Sequence, residues 1–508
     1  MVRIRCCRLL ATALLLTPGL AHGQAVSTAP AEPPSRPGVE RQLQELVRSR
    51  QELQQMQQSV QKQMADFDAR IAALEAELGV PPHKEEIVRI TAPPPAAEEE
   101  SGGSPSLKEQ EEGPFKQGKG VVLVDGENAG LALGVNGYVR YLNQGGLKEH
   151  YTDSFGRTFR IDKRQDIQLN RLQLQFRGWL FDERFRYTFY AWTQNVSQGD
   201  PAQVVVGGNI NYTFSEAFRL WAGIFSVPST RTTAQSFPNW LMIDHRGLAD
   251  EFFRGSYSQG IQAMGKLPYR LFYNVSLTDN LSILGVSASQ LDFGLNTVSG
   301  TLYWMPTTGE YGPGWGFGDF EYHQDVATLL GVHFTQSRED AQSQPNTNSI
   351  ENSQIRLSDG TVIFQPNAFG TDGRITKATY QMLALDAGVK YRGWSLDGEY
   401  YFRWVKDLEV VGSVPVTDLY DHGFQVLAST MIKPKLLQAY VMGSKVFGEF
   451  GDPWDIAFGL TYFPFERKQV RVNAEGIYMN RSAIGYTAVP YVVGGTGWVW
   501  SLNVGTWF

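Results

Sequence analysis

Residues 171–194, RLQLQFRGWLFDERFRYTFYAWTQ, decide the fold that we predict for this chain. From 172 to 180 apolar residues alternate with Gln and Arg, and from 184 to 194 Phe, Tyr and Ala alternate with Arg and Thr. A period of two is typical of a β-strand with one apolar and one polar face. The short break Phe181-Asp182-Glu183 joins the two strands as a hairpin, so the stretch predicts an antiparallel sheet.

Similar alternating segments, rich in aromatic residues and separated by Gly, Asp, Asn and Pro, recur to the carboxy-terminus. They lie near residues 131–142, 203–214, 217–226, 257–266, 269–277, 326–337, 378–392, 395–405, 422–432, 435–445, 453–463, 468–480 and 495–508, and 299–324 holds one or more weaker strands. A closed barrel satisfies every backbone hydrogen bond in lipid, with its apolar faces outward. We therefore predict an all-β, antiparallel transmembrane barrel over residues 119–508, with about 16 strands, or 18 as the alternative. A soluble β-sandwich also alternates, but the length of these segments favours the barrel.

The last segment supports membrane insertion. Alternate residues before Phe508 form a mostly apolar row, namely Thr506, Val504, Leu502, Trp500 and Trp498. A terminal strand with an aromatic carboxy-terminus resembles the recognition signal of outer-membrane barrels. Phe508 is therefore the predicted membrane-insertion signal.

The amino-terminus predicts export. Arg3, Arg5 and Arg8 precede an apolar run at 9–16 and a small-residue cleavage site at 21–23, so residues 1–23 are expected to be a signal peptide. Both cysteines, Cys6 and Cys7, lie within it, so neither a disulfide nor a thiolate metal site is expected in the mature chain. Beyond this segment no apolar run is long enough for a membrane-spanning helix. We predict the outer membrane of a Gram-negative cell, with outer-membrane lipid as a partner.

From Leu43 onward, within residues 37–79, a heptad register holds without a break, with Leu43, Ile71 and Leu78 among its a positions and Leu46 and Leu53 among its d positions. This pattern predicts an α-helical coiled coil, which is too polar for lipid and is placed in the periplasm. A homotrimer is the expected assembly, and peptidoglycan is a candidate partner of the arm. The alternative is a lone amphipathic helix docked on its own barrel. Residues 80–118, rich in Pro and Glu, predict a disordered acidic linker.

Several function classes are disfavoured. The formal net charge is -7, and no basic block lies outside the signal peptide, so nucleic acid is not an expected partner. No GxSxG, HExxH or CxxC motif is present, although His245 follows Asp244. We predict that the chain is not an enzyme and needs no cofactor or metal. A barrel hydrolase using a serine and a histidine is a much weaker alternative.

Three sets of residues are candidates for the interior of the barrel. Predicted inward faces carry the pore-lining candidates Arg140, Arg171, Arg177, Arg184, Arg186 and Arg219. The long segment 226–256 is a candidate constriction loop carrying Arg231, Asp244, His245, Arg246, Asp250, Glu251 and Arg254. An aromatic track for sugars is proposed at Tyr190, Trp192 and Trp221. Arginine suits oxyanions because its planar fork donates two parallel hydrogen bonds.

Each set has a structural alternative. The arginines can pair with interior carboxylates, and the mixed charges of 226–256 can pair with one another as part of a plug. The aromatic residues can fill space or belong to the girdles at the membrane interfaces.

The chain resembles the phosphate-selective porin O and P family over about residues 130–508. The likeness rests on the spacing of Arg171 and Arg177, on RFRYTFYAW at 184–192, and on the strand that ends at 223–228 before the long loop and the segment 259–262. The resemblance implies a 16-stranded trimeric porin, often with an amino-terminal coiled coil. Family members that favour phosphate line the pore with many basic residues, whereas acidic residues slightly outnumber basic ones here.

We expect passive diffusion of small hydrophilic solutes, with anions such as phosphate among the candidates. The alternative is a structural anchor that tethers the envelope to the cell wall through the coiled coil.

Overall fold

The computed structural model describes residues 115–116, 120–194, 203–234, 240–243, 245–283, 294–340, 354–486 and 488–507. The predicted signal peptide and coiled coil, most of the predicted linker, Asp244 and Phe508 lie outside these residues.

The described part of the chain contains twenty strands. They are β1 (Phe115–Lys116), β2 (Gly120–Asp125), β3 (Ala129–Leu147), β4 (His150–Thr152), β5 (Thr158–Arg160), β6 (Gln165–Leu180), β7 (Asp182–Gln194), β8 (Gln203–Ser215), β9 (Phe218–Ser226), β10 (Tyr257–Leu267), β11 (Leu271–Thr278), β12 (Thr297–Trp304), β13 (Ala327–Asp340), β14 (Arg374–Tyr391), β15 (Trp394–Val411), β16 (Leu419–Lys433), β17 (Leu437–Phe447), β18 (Trp454–Tyr462), β19 (Val470–Asn480) and β20 (Gly497–Trp507). One α-helix, α1 (Leu248–Phe253), follows β9. Within the described residues, no helix is long and apolar enough to cross a membrane.

The sheet closes on itself. Each strand from β6 to β19 pairs antiparallel with the next one along the chain, and β3 pairs with β6 on one side and with β20 on the other. Strand β2 pairs with the start of β3, beyond the point where β20 ends, so it does not count as a separate strand of the barrel. The result is the predicted closed antiparallel barrel of 16 strands.

The exterior of the barrel is apolar. Along β18 exposed and buried residues alternate, and Ile456, Phe458 and Leu460 face outward. The same alternation in β20 exposes Trp498, Trp500, Leu502 and Val504, the row expected from the sequence. A closed barrel with an apolar outer surface is the architecture of transmembrane barrels, because no backbone edge is left unpaired in lipid.

The two ends of the barrel differ. At the end where β20 stops, called the terminal end, most connections are short, as at 216–217 and 392–393. Exposed aromatic rings lie in or beside these turns, as expected at a membrane interface: Phe181, Phe218, Tyr269, Trp394 and Phe465. At the other end, called the loop end, the connections include 148–164, 227–256, 279–296, 341–373 and 481–496.

One connection at the terminal end is long. The sequence predicts one or more weaker strands within 299–324, and β12 is the one strand found there, ending at Trp304. Residues 305–326 instead form an irregular segment with a 3-10 turn at Pro313–Trp315. Positive φ angles at Gly309, Gly312 and Gly318 explain why a regular strand cannot continue. This segment, called the inner segment, enters the barrel.

Candidate functional site

The inward side chains of β13–β19, called the covered wall, are buried beneath segments that fold into the barrel. This wall is rich in carboxylates, and the buried ones are Glu339, Asp386, Asp397, Glu399, Asp421, Asp455 and Glu475. Buried charges are stable only when they are paired and hydrogen-bonded. The partners come from the wall itself, from the inner segment and from the described parts of 227–256, called the inner loop.

Arg231 of the inner loop is fully buried against the covered wall. Its Nη1 lies 2.9 Å from Asp397 Oδ1 and 3.7 Å from Asp386 Oδ1, and its backbone N–H donates to Glu399 Oε1 at 2.9 Å. Burial alone would lower its pKa, but Asp397, Tyr311 and Asp386 outweigh that penalty and raise the pKa of Arg231 above its ordinary value. Arg231 therefore remains charged and anchors the loop to the wall.

The inner segment completes this anchor from the terminal end. Trp315 O accepts hydrogen bonds from Arg231 Nε and Nη2 at 3.1 and 3.0 Å. Tyr311 donates its hydroxyl to Asp397 at 2.8 Å, and Lys390 Nζ donates to Tyr311 O at 2.8 Å. The guanidinium of Arg231 also lies 4.4 Å from the ring of Phe317. The inner loop and the inner segment thus enter from opposite ends and meet at Arg231.

A second cluster holds the remaining charged residues of the inner loop. His245 Nε2 lies 2.6 Å from Glu475 Oε2 on the covered wall. Glu251 lies 3.3 Å from Arg246 and 2.7 Å from Arg254, and it accepts a hydrogen bond from Tyr486 at 2.8 Å. Burial would raise the pKa of Glu251, but Arg254 and Arg246 outweigh it and lower the pKa to about 2. Glu251 therefore stays ionised.

Asp250 behaves in the opposite way to Glu251. Burial is the largest influence on Asp250 and raises its pKa, despite Arg246 nearby and a hydrogen bond from Thr232.

The structure describes six of the seven predicted constriction residues. All six lie buried in ion pairs or hydrogen bonds: Arg231, His245, Arg246, Asp250, Glu251 and Arg254. The seventh, Asp244, lies outside the described residues.

Helix α1 fixes the inner loop against β17 and β18. Its first N–H groups have no partner inside the helix. Leu248 N–H donates to Asp455 Oδ2 at 3.4 Å, and Ala249 N–H donates to Ser444 Oγ at 3.0 Å. Phe253 stacks on Tyr401 with ring centroids 5.0 Å apart. The helix is thus held by both polar and apolar contacts with the covered wall.

The inward face of β6–β9, called the open wall, is different. Arg177, Arg184 and Arg186 are exposed and Arg219 is partly exposed, although alternation places all four on the inward face. Arg177 Nη2 donates to Gln175 Oε1, and Arg219 Nε donates to Thr213 Oγ1 at 3.0 Å. Of these four, Arg184 forms an ion pair: its Nη2 lies 2.6 Å from Oδ2 of the partly exposed Asp182, the first residue of β7. The open wall thus presents guanidinium groups to the lumen.

The other two pore-lining candidates, Arg140 and Arg171, are buried. Arg140 donates to Gln168 Oε1 at 3.0 and 2.8 Å and to Ala488 O at 3.1 Å, so it ties β3 and β6 to the loop 481–496. Arg171 lies between two rings, 4.6 Å from that of Trp192 and 5.8 Å from that of Tyr138. Both residues hold the wall together near the loop end.

The three predicted aromatic residues divide in the same way. Trp192 is buried against Arg171, whereas Tyr190 and Trp221 are partly exposed on the inward face. Tyr190 pairs with Gly207 across β7 and β8, and Trp221 pairs with Asn211 across β8 and β9. Only Tyr190 and Trp221 are therefore placed where a solute in the lumen can contact them.

The partners on the covered wall are not among the residues predicted from the sequence. Asp386, Asp397, Glu399 and Glu475 lie on the polar face of the alternation in β14, β15 and β19, which is a signal present in the sequence. The inner segment gave only a weak signal, its cluster of glycines. Among the described residues, no group of three or more His, Cys, Asp or Glu side chains is arranged to hold a metal ion.

The chain matches no protein-family model and no curated protein. Among solved structures it is similar to OmpT of Vibrio cholerae, at 10% identity with a TM-score of 0.45, covering 76% of this chain and 99% of that one. It is also similar to OmpF of Salmonella typhi, at 12% identity over 76% and 99%, and to the outer-membrane channel DcaP of Acinetobacter baumannii, at 11% identity over 76% and 99%, both with TM-scores of 0.45. No residue correspondence follows at this level, and the fold is established by the strand pairing of the chain itself.

Proposed function

We propose that this chain is an outer-membrane porin through which small hydrophilic solutes diffuse passively, with a preference for anions. The observation that carries the proposal is the unequal interior: inward guanidinium groups stay exposed on the open wall, while the carboxylates of the covered wall are buried under the inner loop and inner segment. A solute passing the open wall would meet Arg177, Arg186 and Arg219, while the buried carboxylates of the covered wall would lie out of its reach.

The physical effect of such a wall follows from Coulomb attraction. A charge about 8 Å from a passing ion, in surroundings between water and a protein surface, contributes on the order of 0.5 to 1 kcal/mol. Low-dielectric walls strengthen the effect, and salt weakens it. Three arginines acting together therefore favour anions by roughly tenfold or more.

Assembly as a homotrimer remains part of the proposal, because the heptad register predicted at 37–79 suits an oligomeric arm. The same is true of the periplasmic position of that arm and of its contact with peptidoglycan. Phosphate as a particular permeant, and the alternative of an envelope anchor, also remain predictions from the sequence.

The experiment is planar-bilayer recording in a potassium chloride gradient. The wild type is expected to conduct in steps that come in multiples of three. The sign of its reversal potential is expected to show that anions permeate more readily than cations. The triple variant Arg177→Gln, Arg186→Gln, Arg219→Gln is expected to lose about tenfold in the permeability ratio of anions to cations. Absence of conductance would overturn the proposal.

A matched control removes the same charge outside the lumen. Arg160, Arg392 and Arg467 are exposed in the β5 hairpin and in two terminal-end turns. Their triple substitution to glutamine is expected to leave the reversal potential unchanged. An equal shift in both triple variants would mean that total surface charge, and not the open wall, sets selectivity.

A further inference from the structure

The open wall carries more than positive charge, because cross-strand pairing places neutral polar and aromatic groups beside its arginines. Arg177 pairs with Thr188, which pairs with Asn209. In the next row toward the terminal end, Arg186 pairs with Asn211, which pairs with Trp221. Side chains of directly paired residues are about 5 Å apart. A guanidinium, a carboxamide and an indole thus lie side by side within the reach of one small molecule.

Two further rows on the loop-end side add hydrogen-bonding groups. Gln175 pairs with Tyr190, and both are partly exposed inward. Asn136 Nδ2 donates to Gln173 Oε1 at 3.2 Å, so carboxamides continue onto β3. Among these neighbours of the arginines the groups are amides, hydroxyls and aromatic rings, and none is a carboxylate.

Two buried polar atoms in this patch lack a hydrogen-bond partner among the described residues. One is Asn209 Oδ1, on a side chain that is 7% exposed, and the other is Trp221 Nε1. Asn209 Nδ2 donates to Ile224 O at 3.3 Å, which fixes the amide on the wall. An unsatisfied buried acceptor and donor are costly, and hydroxyl groups can donate to the acceptor and accept from the donor.

We propose that this patch binds a small organic anion that carries several hydroxyl groups, such as a sugar acid or a sugar phosphate. This inference rests on the proposed function and names its substrate class. Arg186 and Arg177 hold the anionic group, since guanidinium matches carboxylate and phosphate alike. Asn209, Asn211 and Thr188 exchange hydrogen bonds with hydroxyl groups. The rings of Trp221 and Tyr190 contact the apolar face of the solute.

An inorganic anion uses only part of this patch. Chloride or free phosphate needs the arginines but has no use for an indole face. An unhydroxylated carboxylate leaves the amides unpaired, and a neutral sugar leaves the arginines without a counter-charge. A site built from hydrogen-bonding groups discriminates strongly against an analogue that lacks the matching hydroxyls.

The test measures block of the chloride current through the full-length protein in a planar bilayer. Sodium gluconate, sodium hexanoate, glucose and glucose 6-phosphate are added separately to one side. The half-blocking concentration of gluconate or glucose 6-phosphate is expected to be at least about tenfold below those of hexanoate and glucose. The lower of the two identifies the preferred anionic group. Equal half-blocking concentrations for all four compounds would overturn the inference.

A variant locates the block on the open wall. Trp221→Leu is expected to raise the half-blocking concentration of the hydroxylated anion about tenfold. Trp221→Phe keeps a ring but loses the N–H, so its half-blocking concentration is expected to lie between those of the wild type and Trp221→Leu. The control Trp500→Leu changes an outward-facing tryptophan and should have no effect. If Trp221→Leu does not insert, the four-compound comparison on the wild type still decides. If the wild type shows no preference for anions, the proposed function is overturned. If it prefers anions but all four compounds have equal half-blocking concentrations, only the substrate class is overturned.

Discussion

The covered wall and the open wall belong to one barrel and share one strand pattern, yet their inward charges do different things. On the covered wall Asp386, Asp397 and Glu475 meet Arg231 and His245 from the inner loop at 2.6 to 3.7 Å. On the open wall Arg177 and Arg186 remain exposed toward the lumen. The same residue type is thus a structural anchor on one side and a group facing solutes on the other.

This difference teaches why the net charge of the chain is a poor guide to selectivity. The formal charge of -7 counts every acid equally. A carboxylate such as Asp397, buried and paired with Arg231, exerts little influence on the lumen, because its field is largely cancelled by its partner. Ion selectivity depends instead on the charges that a permeating ion approaches.

The largest effect that can break the comparison is the loss of a charge on the covered wall. Arg231→Met removes the guanidinium that neutralises Asp397 and Asp386 and leaves Asp397 with the Tyr311 hydroxyl and Asp386 with His333. Loss of this buried counter-charge is expected to lower the free energy of unfolding by about 3–5 kcal/mol. Urea unfolding in lipid vesicles, followed by tryptophan fluorescence, measures this. The matched variant Arg186→Met on the open wall is expected to change stability by about 0.5 kcal/mol or less. Equal losses in both variants would erase the distinction between the walls.

The fold was largely predictable from sequence because strand alternation is a local signal. The period of two in β6 and β7 places Leu172, Leu174 and Phe176 outward, where the structure also has them. Closure with 16 strands follows from the number of alternating segments. The irregular inner segment was not predictable in this way, since its course depends on contacts of Tyr311 and Trp315 with residues far along the chain.

The site was predictable only in part. Alternation assigns Arg140 and Arg177 to the same inward side, but it does not say which of them a loop will cover. Arg140 is buried because the loop 481–496 supplies Ala488 O, whereas Arg177 receives no such cover. Burial on an inward face is decided by loops folding from a distance, and the local sequence of a strand carries no record of that.

The next largest effect is the pH dependence of the unfolding free energy, which the inner loop on the covered wall is expected to determine. Glu251 has a pKa of about 2 in the folded protein, below the ordinary 4.5, because Arg254 and Arg246 outweigh the effect of burial. A lowered folded-state pKa contributes stability that is fully present above pH 4.5 and is lost as the pH falls through 2. The contribution is about 3 kcal/mol, and Glu251→Gln is expected to remove this part of the pH dependence. Asp250, with its pKa raised by burial, opposes the trend in both proteins.

Unfolding free energies measured from pH 7 to pH 2 test this expectation. The control is Asp182→Asn, which changes a partly exposed carboxylate at the start of β7. That variant is expected to follow the wild-type profile closely, since exposed ion pairs contribute little to stability. If the unfolding free energy of Glu251→Gln falls with pH as steeply as that of the wild type, other carboxylates hold the inner loop.

The smallest effect concerns Arg171, which lies where the buried end of the open wall begins. Its guanidinium is 4.6 Å from the ring of Trp192, and a lysine keeps the charge but loses the planar stacking. Arg171→Lys is therefore expected to cost about 0.5–1 kcal/mol of stability and to leave the reversal potential unchanged. Arg177→Lys, on the exposed part of the same strand, should leave both quantities near wild type. If Arg171→Lys shifts selectivity while stability is unchanged, Arg171 faces the permeating ion, and the open wall extends further toward the loop end than its burial indicates.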